Sequence, residues 1–219
     1  MKHVWRKASD GGRVRIKSLG LLAVMAMIVV SCGGTDQQSA SGPQEGIAVH
    51  GEWTIAVYNP DGSLAARHQF ANALVGEDGL FDILSGNRRV GLWEVELAGP
   101  NTSQGPCTEI SPQTGTTGSC YLRSAGFLNI PSNDNMSFDL AVAAHGNPTS
   151  GFMLSGTHTA TKTGQITNVS TAIWGCSTIS GGSCDNFLKH NFTATSLSPI
   201  SVVTDQLIRV EVVISFTSG

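Results

Sequence analysis

Glu94 and Glu96 stand two residues apart in the alternating stretch Gly91–Ala98, which puts both carboxylates on one face of a strand. Such a pair could serve a glycosidase, with the carboxyl separation setting the stereochemical outcome. Trp93, Val95 and Leu97 alternate with them as the apolar face, so Glu94 and Glu96 read as the solvated side of that strand. No Gly-x-Ser-x-Gly elbow presents a nucleophilic serine, and no His-Glu-x-x-His pattern supplies a catalytic zinc site. His50, His68, His145, His158 and His190 are scattered and read as surface or internally satisfied residues. Asn133-Asp134-Asn135 with Asp139 offers oxygen ligands for calcium but lacks the spacing of a dedicated loop, and reads as a turn. Five rings could stack on a sugar: Trp53, Tyr58, Trp93, Tyr121 and Trp174. Trp53 and Trp93 fall on apolar strand faces, which leaves Tyr58 and Trp174, near strand ends, as the ligand-contact candidates.

The elements that carry these residues are strands joined by turns. His50–Asn59 alternates, with Trp53, Ile55 and Val57 on one face. Asn59-Pro60-Asp61-Gly62 is a turn, because Pro60 presets φ and Gly62 accepts a positive one. Leu64–Phe70 then returns to complete a hairpin. One short helix is expected over residues 76–85, with Glu77 and Asp78 at its positive end, Leu80 stacked under Leu84, Phe81 and Ile83 nearby, and Gly86 as the stop. Further strands are expected at 121–130, over Met136, Phe138, Leu140 and Val142, at 151–161 and 165–174 about a Lys162-Thr163-Gly164 turn, and at 187–195, with Pro199 interrupting the chain after it. The last strand is the clearest. Ile208, Val210, Val212, Ile214 and Phe216 form one face, so it should be central or well covered. These signals predict an all-β chain, an antiparallel β-sandwich with one short helix after the first hairpin; a jelly roll or open barrel is the alternative.

Cys107, Cys120, Cys176 and Cys184 are an even set, which in an exported chain suggests disulfides. Three pairings are open. Cys107–Cys120 and Cys176–Cys184 close short loops rich in Gly, Ser and Thr and are the expected pair, each contributing about 2–4 kcal/mol. Zinc is the rival reading, but there is no Cys-x-x-Cys, and His190 has no partner at ligand spacing. No metal or cofactor is expected.

The amino-terminal stretch decides where the rest would live. Lys2, Arg6, Lys7, Arg13, Arg15 and Lys17 precede an apolar run, Leu19–Val30, that is shorter than the roughly 20 residues of a spanning helix. A basic start, a short apolar core and a small residue make a secretory signal. Val29-Val30-Ser31-Cys32 resembles the lipobox of bacterial lipoproteins. The resemblance covers the first 32 residues and implies cleavage before Cys32, lipidation of its thiol and anchoring to membrane lipid through the acylated Cys32. Several acyl chains, at about 0.8 kcal/mol per buried CH₂, hold a domain firmly. Gly33 stands where an Asp often retains lipoproteins at the inner membrane, so the resemblance implies the outer membrane or cell surface. Residues 33–46, GGTDQQSASGPQEG, hold no aliphatic side chain larger than Ala40 and read as a flexible tether. The expected organisation is a signal over 1–31, the lipidated Cys32 and tether over 32–46, and a single β-sandwich domain over 47–219.

The formal charge is −3 for the whole chain and +5 for the first 31 residues, which leaves −8 for the exported part. An acidic surface whose only adjacent cations are Arg88-Arg89 does not suit nucleic acid. Two further stretches are similar to β-rich domains of phage tail-fibre-like and other surface structural proteins. One comprises Gly51-Glu52-Trp53, Asn59-Pro60-Asp61-Gly62, Asn72-Ala73-Leu74 and Leu92-Trp93; the other comprises Phe192-Thr193-Ala194, Leu197-Ser198-Pro199 and residues 206–216. That likeness implies a fold and no catalytic residue. The expectation is a non-catalytic binding or structural module at the cell envelope, with a glycan or an envelope protein as partner. The runner-up is a subunit of a surface assembly, and a polysaccharide-active enzyme using Glu94 and Glu96 comes third. Replacing the anchor residue, Cys32→Ser, is expected to move the protein from the membrane pellet to the soluble fraction of lysed cells, as read by immunoblot.

Overall fold

A computed structural model describes residues 47–75, 78–101, 103–108, 118–125, 139–146, 150–180 and 183–218. Cys32 and the tether, the expected helix start at 76–77, the Asn133–Asn135 turn, Met136 and Phe138 lie outside the described residues. The elements in chain order are β1 (Ile47–Tyr58), β2 (Leu64–Ala73), α1 (Asp78–Leu84), β3 (Arg89–Ala98), β4 (Cys120–Arg123), β5 (Leu140–His145), β6 (Gly151–Thr159), β7 (Gly164–Cys176), β8 (Thr178–Ser180), β9 (Ser183–Asp185), β10 (Leu188–Val202) and β11 (Leu207–Ser218).

Two antiparallel sheets pack as a sandwich, one in the order β2-β1-β11-β6-β5 and one in the order β10-β7-β3-β4. β8 and β9 form a small separate hairpin closed by Cys176–Cys184. The second disulfide joins Cys107 to Cys120 at the start of β4, so both expected pairings are present. Two disulfides suit an oxidising, extracytoplasmic compartment.

The core follows from period-two alternation. Trp53, Ile55 and Val57 of β1 are buried beside Ile208, Val210, Val212 and Ile214 of β11. From the facing sheet, Val95 and Leu97 of β3, Leu122 of β4, Ile166, Val169 and Ile173 of β7 and Phe192 of β10 close the space. β11 is central in its sheet, as its apolar face required. Trp93 sits at the rim of this core, 4.6 Å from the Phe152 ring and 5.4 Å from Phe192. The turn after β1 forms as expected. Gly62 has φ of 83° and donates its N–H to the Asn59 carbonyl. Asp61 Oδ1 accepts from the Ser63 hydroxyl and N–H, and these bonds hold its carboxyl below the usual range.

The structure corrects several sequence expectations. Helix α1 turns Leu80 and Ile83 toward the core and leaves Phe81 and Leu84 exposed, so the Leu80–Leu84 stack is not the packing face. Val142 of β5 is exposed, because only Leu140 of that strand reaches the core. The two strands expected on either side of Lys162-Thr163 are both present, as β6 and β7, and they enter different sheets. Pro199 does not end its strand. β10 runs on to Val202 through a register shift between Ser196 and Ile200, and an edge strand tolerates the missing N–H at such a bulge.

Candidate functional site

Strand β3 carries Glu94 and Glu96 on the outer face of the four-stranded sheet. Register places Glu94 beside Arg123 of β4 and Ala172 of β7, and Glu96 beside Tyr121 and Ser170. The face is not solvated around Glu94, whose residue is 1% exposed, with Arg123 3% exposed. This corrects the reading of Glu94 as solvated, whereas Glu96 is half-buried and borders an open groove. One Glu94 oxygen, Oε2, accepts from Arg123 Nε at 2.6 Å, and Oε1 meets Lys189 Nζ at 2.6 Å. Tyr121 donates its hydroxyl to Glu96 Oε1 at 2.9 Å. The Arg123 guanidinium lies 5.0 Å from the Tyr121 ring centre, and the Lys189 ammonium lies 5.7 Å from it. One acid, two cations and a ring thus form a compact charged cluster on a dry sheet face.

Trp174, expected to contact ligand, is 2% exposed and packs with Leu92, Cys176, Cys184 and Phe187. Its ring centre is 5.5 Å from that of Phe187, with Lys189 Nζ 5.9 Å away. The β8–β9 hairpin folds back over this end of the sheet, so the ring serves a second small core and is closed to a sugar. Tyr121 is buried as well.

Tyr58 is placed differently. It lies on the outer face of the five-stranded sheet, opposite Leu64 on one side and Leu207 on the other. One row further along, Arg67, Ala56, Arg209 and Thr157 succeed one another across four strands. The small Ala56 leaves a trough between the two guanidinium-bearing neighbours. Tyr58 and Arg209 line two adjoining open clefts. The larger, about 700 Å³, adds Asn59, Pro60, Thr157 and Asp205, and the smaller, about 210 Å³, adds Thr54, Arg67 and Glu211. Arg209 Nη2 donates to Glu211 Oε1 at 2.6 Å. Three turns hold the rim of the larger cleft. Gln206 donates to Asn59 Oδ1 at 2.8 Å and accepts the Val203 N–H at 2.8 Å, while its carbonyl accepts the Ala160 N–H at 2.8 Å.

A third polar surface lies on the four-stranded sheet beside Glu96, a groove of about 490 Å³ that includes Asn168, Ser170 and Ser196. Ser196 Oγ donates to Asn168 Oδ1 at 2.8 Å, so part of its polar lining is already paired.

The zinc reading receives a different histidine from the one weighed in the sequence. His158, on the core side of β6, lies with its ring near Cys107 and Cys120, the three donor atoms within 4.8 Å of one another. With the two sulfurs joined, the group offers a single ligand atom and does not form a metal site as it stands. Burial pushes the His158 pKa down, against a smaller upward pull from the Asp139 carboxylate. Sequence spacing gave no sign of this contact, which joins β6 to residues some 40–50 positions earlier.

Comparison with protein families, with curated proteins and with solved structures finds no match to this chain.

Two outcomes test this geometry. Glu94→Gln keeps the shape but leaves Arg123 and Lys189 as buried cations without a counter-charge. Urea unfolding should show a loss of about 3–5 kcal/mol, while exchanging all three for apolar residues of similar volume should cost less. A His158 pKa lowered in the folded state means that the unfolded chain binds more protons as pH falls below the ordinary histidine value near 6.5. The native protein should therefore lose stability from about pH 7 downward until the folded pKa is passed, and His158→Gln should flatten that slope in melts recorded against pH.

Proposed function

We propose that this chain is a lipid-anchored protein of the cell envelope whose β-sandwich is a non-catalytic module that binds glycan at the Tyr58 clefts. The amino-terminal pattern ending in Val29-Val30-Ser31-Cys32 supports acylation of Cys32, and Gly33 after it supports the outer membrane or cell surface. The two disulfides agree with residence outside the cytoplasm.

The observation that carries the binding reading is the setting of Tyr58. A half-buried ring at the junction of two open clefts offers an apolar face and a polar edge, which is what a sugar ring requires of a protein. Arg67, Arg209, Glu211, Asp205 and Asn59 surround it with donors and acceptors for hydroxyl groups. Asn59 and Arg209 are already held in place by Gln206 and Glu211, so little ordering is left to do on binding. A non-catalytic role is supported by the fate of the glutamate pair. Glu94 is neutralised by two cations, and Glu96 is hydrogen bonded by Tyr121.

Screening envelope polysaccharide fragments on an array, followed by titration calorimetry of the best binder, tests the assignment. Tyr58→Ala should weaken that binder about tenfold, equivalent to about 1.4 kcal/mol. Trp174→Phe should leave the affinity unchanged, because that ring is enclosed. A binder that ignores Tyr58→Ala, or an array with no binder, would remove the reading.

A further inference from the structure

Strands β2 and β10 are the neighbouring edges of the two sheets, and they meet at one point. Leu74 forms an antiparallel bridge with Thr193, and the Val75 N–H donates to the Phe192 carbonyl at 3.0 Å. Continuing that register would set Ala71 opposite Ser196, Phe70 opposite Leu197 and Gln69 opposite Ser198. Those pairs do not form. Among the described residues no backbone hydrogen bond crosses between the two strands there. A slot of about 330 Å³ lies between them instead, lined by the four consecutive residues His68–Ala71 on one wall and Thr195–Ser198 on the other. The seam between the sheets is zipped at Leu74–Thr193 and open just beyond.

We infer that this slot is a binding site for an extended segment of a partner polypeptide, which enters as an added strand between β2 and β10. The walls define that chemistry. Each is the free edge of a strand, so the recognition elements are backbone N–H and C=O groups at strand spacing, and another backbone in extended form matches them. Phe70 and Leu197 are half-buried and pack against the core, whereas Gln69, Ala71, Ser196 and Ser198 are exposed. The incoming strand must therefore alternate, with an apolar side chain inward between Phe70 and Leu197 and a polar one outward. No carboxylate, Lys or Arg lines the slot, so the segment is uncharged where it enters. A glycan fits less well, since one face of the Phe70 ring is stacked on Trp53 at 5.8 Å between centres and 12° between planes. A second copy of the chain would have to release a strand for insertion, and each of the described strands is already paired on at least one side. The register shift after Ser196 and the proline at 199 end the wall on the β10 side, and each wall is four residues long, so the site takes a short segment. This site is separate from the Tyr58 clefts and stands independently of the glycan reading.

The test uses full-length protein in detergent and an acetylated, amidated hexapeptide of alternating Thr and Val as probe, with amide hydrogen exchange as readout. Those amides of residues 69–71 and 195–198 that point into the slot, away from β1 and β7, should exchange freely without peptide and slow about tenfold with millimolar peptide, while those of β1 and β11 stay as they were. Leu197→Asp should abolish that protection with exchange in β3 and β7 unaltered, which shows that the variant is folded, and Tyr58→Ala should leave it intact. Absence of peptide-dependent protection in the native protein overturns the proposal. So does protection of the slot-facing amides already present without peptide, whether it persists after deletion of residues 33–46, meaning a seam that zips closed by itself, or disappears with that deletion, meaning the chain's own tether fills the slot.

Discussion

The sandwich depends on keeping one face of β11 dry. Ile208, Val210, Val212 and Ile214 are each fully buried, and the strand is flanked by β1 on one side and β6 on the other. A period-two strand allows no compromise in register, since a slip by one residue would drive Arg209, Glu211 and Val213 inward. The same choice fixes the outer face of the sheet. Once Val57, Ile55 and Trp53 turn in beside β11, Tyr58, Ala56 and Thr54 must turn out beside Leu207, Arg209 and Glu211. The surface that carries Tyr58 and the core are two sides of one alternation.

Much of this was legible in the sequence because it is local. The faces of β1, β3 and β11, the Asn59–Gly62 turn, the existence of a short helix and the two loop-closing disulfides all follow from patterns within a dozen or so residues. What escaped rests on partners far along the chain. Glu94 looked solvent-facing because Val95 and Leu97 face inward, and they do. Its outer face is dry because Arg123 and Lys189, 29 and 95 residues away, come to it. Trp174 looked available because it ends a strand, yet the hairpin that follows doubles back on it. Pro199 looked like a break because strand propensity is blind to whether a strand is an edge. Of the two residues taken as ligand contacts, Tyr58 could be placed by alternation alone and lies in an open cleft, whereas Trp174 needed knowledge of what packs above it.

The two outer faces use charge in opposite ways. On the four-stranded sheet, Arg123 and Lys189 share the one Glu94 carboxylate under cover, with both cations lying against the Tyr121 ring. A cluster of this type is costly to assemble, and costly to break because removing one partner leaves the others without a counter-charge. On the five-stranded sheet, Arg67, Arg209, Glu211 and Asp205 stay near water around a ring and a small residue. Polar groups that remain hydrated lose little until something displaces that water, and this is the property expected of a surface that exchanges partners.

β1 and β11 pair along their whole lengths, Ile47 with Ser218 at one end and Tyr58 with Leu207 at the other. The five-stranded sheet is thus assembled around a strand that follows all the other described elements in the chain. No native-like version of it exists while residues 207–218 are still missing, because β1 and β6 have no common neighbour to join them. Closing that pairing spans about 160 residues, which makes it a late and slow event. The four-stranded sheet needs none of those residues, so the two layers of the sandwich differ in when along the chain their last strand is made.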